Sequence, residues 1–319
     1  MIRTVTETSP LKILGFTDCH LDDNGPCGTL TLKLIRETVE SEKPDLIVFV
    51  GDTVTGGDNR KRTGDFTELM TSLGIPWCPV LGNHEGDNPY SVTREEMVRI
   101  FRTSPTCMIP ENASAASGRY TDYVIDLRND AGEICHKLIF LDGGTDMTDE
   151  EMAQYGLSHL TKRPDNCLTE EQVGWYREQV RKDDCPSTVF CHIPLPEFAE
   201  GFREGGMLLA GNNLERICHS PYNSGMFDAM LEEGRTTAFV CGHDHINDSH
   251  LLYKGVRLIY NRMSGLSSYN VISKKLGDKL LQGCTVYTIH ADGTAEYGDI
   301  FYEDRYPQYR EEIYRVIRK

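Results

Sequence analysis

The chain has 319 residues, 39% of them apolar and 26% charged, with a formal net charge of -16. That is enough apolar content for a sizeable core in one large domain or two small ones. The acidic balance excludes a general nucleic-acid binder, which needs a basic stripe, and a partner of anionic membrane surfaces. It leaves room for a small phosphorylated substrate, because bound metal reverses the local field.

No apolar run approaches the ~20 residues of a membrane span, and residues 1–10 hold no apolar core of signal-peptide length. The eleven cysteines are scattered, with no Cys-x-x-Cys. Buried free thiols in a reducing compartment explain them best, so the expected location is cytoplasmic. Asn112 and Asn247 begin glycosylation triplets of a kind that arises often by chance, and these are discounted.

In chain order, Leu11 to Thr17 reads as a short strand ending in Asp18, Cys19 and His20. A turn-rich loop follows from Asp22 to Gly28. Thr29 to Glu42 carries Leu30, Leu34, Ile35 and Val39 at roughly helical spacing, and Pro44 stops it. Leu46 to Val50 is a run of five apolar residues, the mark of a strand buried on both faces. Gly51 ends it, and Asp52 sits just past its carboxyl end, where ligands bind in open α/β sheets. Taken alone, Asp52 reads as a turn residue or a helix cap. The unit is βαβ, which predicts a parallel pair with a right-handed crossover.

Residues 56–64 read as a polar loop and Asp65 to Leu73 as a helix. Trp77 to Leu81 is a strand ending in Gly82, Asn83, His84 and Glu85, and Thr93 to Arg102 is a helix. Tyr120 to Leu127 and His136 to Leu141 are strands joined by a turn at Asn129 to Gly132. Residues 145–167 are polar and read as an irregular surface excursion. Leu168 to Arg181 is helical, with Thr169 as N-cap. Thr188 to Cys191 is a strand ending in His192, and residues 197–223 read as a long loop. Ser224 to Glu233 is a helix. Thr237 to Cys241 is a strand ending in Gly242, His243, Asp244 and His245. Strands follow at Val256 to Tyr260, Cys284 to Ile289 and Thr294 to Phe301, then a helix over 306–317. With no repeat and no linker, the reading is one domain over 1–319, its core about 11–301.

Five predicted strands therefore end in potential metal ligands: Asp18 with His20, Asp52, Asn83 with His84, His192, and His243 with His245. Each signal is weak alone, since a histidine after a strand is usually a hydrogen-bonding residue. Gly242-His243-x-His245 is stronger, because two imidazoles one residue apart point the same way from an extended segment. Five clusters in succession point to one rim. Carboxylates, imidazoles and an amide suit Mn, Fe, Zn, Ni or Co rather than a structural zinc site. Cys19, Cys191 and Cys241 alternate away from the site and are assigned to the core.

On these motifs the chain resembles the calcineurin-like metallophosphoesterases over about residues 11–300. Phe190 to Glu197, Asn223 to Gly225, Gly242 to Asp248 and Gly265 to Tyr269 are similar to an atypical branch of fungal and plant phosphatases grouped with purple acid phosphatases. Thr55 stands where the purple enzymes carry a metal-binding Tyr, so no tyrosinate centre is expected. The resemblance implies a four-layer αββα sandwich of two facing mixed sheets flanked by helices; the strand–helix alternation alone gives only α/β. It implies two metal ions, the first held by Asp18, His20 and His245, the second by Asn83, His192 and His243, with Asp52 between them. The implied reaction is attack of a metal-bound hydroxide on a phosphate monoester, with His84 stabilising the transition state or protonating the leaving oxygen. Glu85 or Asp87 is the candidate to orient His84. Asn247 and Asp248 are candidate supports of the histidine pair. Asp22 to Asn24, Arg203, Asn223 and Ser224 are candidates for substrate selection, each equally readable as ordinary loop polarity. The expected partner is a small phosphorylated substrate or a phosphoprotein. Phosphodiester hydrolysis and a non-catalytic scaffold are the alternatives; the filled ligand set weighs against the latter.

Overall fold

The computed structural model describes every residue except 1, 3, 22–24, 87, 268, 270–271, 274–275, 278 and 318–319. Its first half runs β1 (Leu11–Phe16), α1 (Pro26–Glu42), β2 (Leu46–Val50), α2 (Arg60–Leu73), β3 (Trp77–Val80), α3 (Arg94–Phe101), β4 (Tyr123–Arg128) and β5 (Ile134–Phe140). Next come α4 (Asp149–Gln154), α5 (Glu170–Arg181), β6 (Ser187–Phe190), α6 (Pro196–Arg203), β7 (Met207–Ala210), α7 (Met226–Glu233) and β8 (Thr236–Cys241). The rest comprises β9 (His250–Tyr253), β10 (Val256–Tyr260), β11 (Ile272–Ser273), β12 (Lys279–Leu280), β13 (Gly283–Ile289), β14 (Ala295–Phe301), α8 (Tyr302–Arg305) and α9 (Arg310–Ile317).

Two mixed sheets face each other. One has the order β14-β13-β1-β2-β3, the other β4-β5-β6-β8-β10-β9-β7. β1, β2 and β3 are parallel, as are β5, β6, β8 and β10. The predicted βαβ pairing is present, with Phe16 opposite Phe49. Strand alternation builds the layers. Phe16 and Phe49 of the smaller sheet face the helices, with Phe49 edge-on to Phe66, whereas Leu138, Phe140, Phe190, Val240 and Ile259 of the larger share one core with Ile13, Val48 and Tyr287. Their neighbours Ile139, Val189, Phe239 and Leu258 point the opposite way, into a second core with Tyr176 of α5, Phe198 of α6 and Phe227 of α7. On the other outer face, Ile35, Phe66, Met70 and Phe101 bring α1, α2 and α3 onto the smaller sheet. Period-two strands between period-3.6 helices give the αββα sandwich.

Four sequence-based expectations need correction. Helix α2 begins at Arg60, inside the predicted 56–64 loop, because Arg62 and Thr63 are buried despite their polarity. The 145–167 excursion contains α4, started by a capping box between Thr148 and Glu151. The predicted 197–223 loop contains α6 and the edge strand β7. The last helix starts at Arg310; Tyr302–Arg305 and Pro307–Tyr309 form separate short turns before it. Strand β9 was not foreseen.

One buried histidine gives the fold a pH dependence. His136 of β5 is fully buried, with Nδ1 2.8 Å from the Gly293 carbonyl and Nε2 3.0 Å from Thr188 Oγ1. A carbonyl only accepts, so Nδ1 carries the proton and Nε2 accepts from the Thr188 hydroxyl. Burial pulls this histidine down to about 4, against 6.5 for a free one. Between those values the unfolded chain binds a proton that the folded chain does not, so stability falls as pH drops through that window. The full loss is ~3 kcal/mol. In urea titrations the wild type should lose more stability between pH 7 and pH 5 than His136→Gln does.

Candidate metal centre

The carboxyl ends of β1, β2, β3, β6 and β8 open onto one rim where the two sheets meet. Backbone bonds stitch their loops together: Asp18 N–H to the Gly51 carbonyl (3.1 Å), His20 N–H to Asp52 (2.9 Å) and Gly242 N–H to His192 (3.0 Å). Asp18, His20, Asp52 and His243 all hold positive φ, at 49°, 42°, 49° and 78°. Such conformations cost about 1–3 kcal/mol each and cluster at functional sites. Gly51 and Gly82 are needed for close approach. A Cβ at Gly51 would overlap the His192 ring, and one at Gly82 would overlap Asp52 Oδ1.

Each buried aspartate divides its oxygens between protein and site. Asp18 Oδ2 accepts from Thr17 Oγ1 (2.8 Å) and from the His243 N–H (3.0 Å). Its Oδ1 faces His245 Nε2 (3.3 Å), His20 Nε2 (3.8 Å) and His192 Nε2 (3.8 Å). Asp52 Oδ1 accepts from the His84 N–H (2.9 Å), while Oδ2 faces His192 Nε2 (3.2 Å) and His20 Nε2 (3.6 Å). Asp18 Oδ1, Asp52 Oδ2, Asn83 Oδ1 and His192 Nε2 are buried with no hydrogen-bond partner. Leaving such groups unsatisfied costs about 1–3 kcal/mol each. Asp18, His20 and His245 place one ligand atom each within 4.8 Å of one another, and so do Asp18, Asp52 and His192. The donor set and its unsatisfied atoms fit divalent cations.

The imidazoles are set from behind. His192 Nδ1 lies 2.7 Å from the Val50 carbonyl, which leaves Nε2 for the site. Thr55, at the position of the missing Tyr, brings Oγ1 to 3.5 Å from His20 Nδ1. Tyr269 stacks on His245 with centroids 4.4 Å apart. His243 packs edge-on against His192 at 5.3 Å, and its Nε2 lies 3.4 Å from Asp165 Oδ2. Neither Asp165 nor the Thr55 contact was visible in the sequence.

Burial pulls the Asp18 and Asp52 carboxyls up, but charge on His192 and contacts from the other imidazoles outweigh it and hold both well below the usual range. Burial pulls His192 down, but Asp52 and Asp18 push it up to about 10.

His84 is exposed at the mouth, its ring 5.7 Å from His20. Glu85 is not its partner. Glu85 is fully buried and accepts backbone N–H bonds from Asp52 (3.0 Å), Thr53 (2.5 Å), Val54 (3.2 Å) and Gly82 (2.7 Å). It clamps the Asp52 turn; burial and then the Asp52 charge raise its carboxyl to about 7. Asp87 and residues 22–24 lie outside the described residues. Asn247 and Asp248 support the rim rather than the imidazoles. Asn247 Oδ1 accepts from the N–H of Leu214 and Glu215, and Asp248 from that of Asn212. Arg203 sits at the far end of α6, ~12 Å along the helix from the rim. Asn223 uses its amide on Glu197 and its own turn.

Two facing mixed sheets whose strand ends bring aspartates and histidines together form a scaffold for metal ions. The family model for calcineurin-like phosphoesterase matches residues 11–247, and the chain belongs to that family. It is 28% identical over 271 residues to "Probable inactive purple acid phosphatase 14" of Arabidopsis thaliana, covering 76% of this chain and 64% of that protein. It is 27% identical over 277 residues to "Phosphatase DCR2" of Saccharomyces cerevisiae, covering 76% of this chain and 45% of that protein. The chain thus spans less than two thirds of the length of these relatives. A solved dimetal phosphatase from Danio rerio shares the fold, with a TM-score of 0.60 over 92% of this chain and 99% of that one at 15% identity.

Proposed function

We propose that the protein is an active dinuclear-metal phosphatase that hydrolyses phosphate monoesters. The observation that carries this reading is the convergence of buried Asp18, Asp52 and His192, with His192 Nε2 3.8 Å from Asp18 Oδ1 and 3.2 Å from Asp52 Oδ2 and none of the three atoms hydrogen-bonded, at one strand-end rim. Asp18, His20 and His245 would hold a first metal and Asn83, His192 and His243 a second, with the Asp52 carboxylate available to both. The metals are drawn from Mn, Fe, Zn, Ni and Co. When bound, they supply Lewis acidity at phosphorus and lower the pKa of water from ~15.7 toward ~7.

The chain's own residues do the rest. Asp18 and Asp52 contribute -2 in a buried rim, so two divalent ions leave the site positive inside an acidic protein. That attracts a phosphate dianion. The Asp52 carboxylate fixes the backbone of His84, whose exposed ring is placed to give a proton to the leaving oxygen. Glu85 holds the Asp52 turn, and the Val50 carbonyl holds the His192 ring.

The name of the Arabidopsis relative favours a silent metal protein as the second reading. Its opponent is the intact ligand set with His84. Assay of the manganese-reconstituted protein on an aryl phosphate and its diester analogue decides. Turnover of the monoester at least tenfold above the diester is expected. Diester preference overturns the substrate class, and no turnover of either overturns the activity. The substrate is a small phosphorylated molecule or a phosphoprotein. Cys19, Cys191, Cys241 and Cys284 are buried thiols, which supports a reducing, cytoplasmic setting. No helix among the described residues is long and apolar enough to cross a membrane.

A further inference from the structure

We propose that Asp165 is a positioning residue for His243, holding the imidazole by Nε2 so that Nδ1 is the nitrogen available to a metal. This rests on the metal centre proposed above. His243 differs from the other imidazoles of the rim. His20, His192 and His245 bring Nε2 to the Asp18 and Asp52 carboxylates. The Nε2 of His243 instead faces Asp165 Oδ2 at 3.4 Å. Asp18 and Asp52 belong to the groups of convergent ligand atoms, so the Nε2 atoms that meet them share one metal-sized space; Asp165 lies outside both groups, and an Nε2–H held on its carboxylate leaves the lone pair of His243 on Nδ1.

Asp165 is built into place. It stands at the neck of the 145–167 excursion, where Met147 N–H donates to the Pro164 carbonyl (2.9 Å) and Asn166 N–H to Thr145 (3.0 Å). Asp146 and Asp165 form a bridge between the two sides of that neck. Asn166 ties the neck to α4 through Glu151 (2.9 Å). The excursion thus closes on itself and presents one carboxylate to the rim. On the other side, the His243 backbone is already fixed by its N–H bond to Asp18 and its positive φ. What remains free is the ring, and Asp165 fixes it. A carboxylate behind a ligating imidazole sets its tautomer and raises its basicity.

The test is titration of Mn(II) into metal-free wild type, Asp165→Ala and Asp165→Asn by calorimetry, with histidine ¹⁵N NMR of the metal-free proteins at a pH where His243 is neutral. Asp165→Ala should weaken one of two binding events ~10- to 100-fold and leave the other unchanged. Asp165→Asn, whose amide oxygen still accepts from Nε2–H, should keep most of the affinity. The NMR should show the His243 proton on Nε2 in wild type and a changed tautomer balance in Asp165→Ala. Equal Mn(II) binding by all three proteins with an unchanged His243 spectrum overturns the assignment, as does equal weakening of both events by both variants. Should wild type bind no Mn(II), the metal-centre reading fails. The His243 proton then still decides this one: on Nε2 it supports the Asp165 contact, on Nδ1 it refutes it.

Discussion

Asp52→Asn should cost both metals together and lower kcat/KM on the order of 10³-fold, the scale of a removed electrostatic stabiliser. The reason lies in how Asp52 divides its oxygens. Oδ1 anchors the His84 backbone, and an amide oxygen can still do that. Oδ2 faces His192 on one side and His20 on the other, and only a carboxylate presents an anion to both. Replacing it removes one of the two carboxylates that face His192 and leaves that ring with Asp18 alone. His20→Ala removes one ligand of one metal, so one ion should be retained. Metal content by elemental analysis, measured beside kcat/KM, separates the two. Equal loss of both metals in Asp52→Asn and His20→Ala contradicts the bridging role.

His84→Ala should lower kcat by ~10²–10⁴ while leaving metal content unchanged, as expected for loss of a general acid. His84 is exposed, and its ring is outside both groups of convergent ligand atoms. The loss should depend on the leaving group. An alkyl phosphate needs the proton and should suffer most. An aryl phosphate with an acidic phenol leaves unaided and should suffer least. A uniform loss across leaving groups, or loss of metal, would assign His84 a structural role instead.

Much of this rim was legible in the sequence because its signals are local. Val50, Gly51 and Asp52 say that a buried strand ends in a carboxylate, and four other strand ends repeat the message. Parallel pairing then brings Asp18, Asp52, His192 and His245 together, as observed. What stayed hidden lacks local pattern. Helix α6 has only eight residues, with Pro196 at its first turn as the one available signal. All four residues of β7 are exposed, so no alternation marked it. Glu85 looked like a partner for its neighbour His84. Its real contacts are backbone N–H groups of residues 52–54 and 82, which periodicity cannot reveal. Asp165 reads as loop polarity until the neck of its excursion and His243 are seen side by side.

The most direct measurement is elemental analysis of the protein after manganese reconstitution and gel filtration, coupled to hydrolysis of an aryl phosphate on the same sample. Two ions per chain, with activity that rises with occupancy and vanishes on chelation, is the expected result. A folded protein that retains no metal, or one whose turnover is indifferent to chelation, contradicts the dinuclear centre.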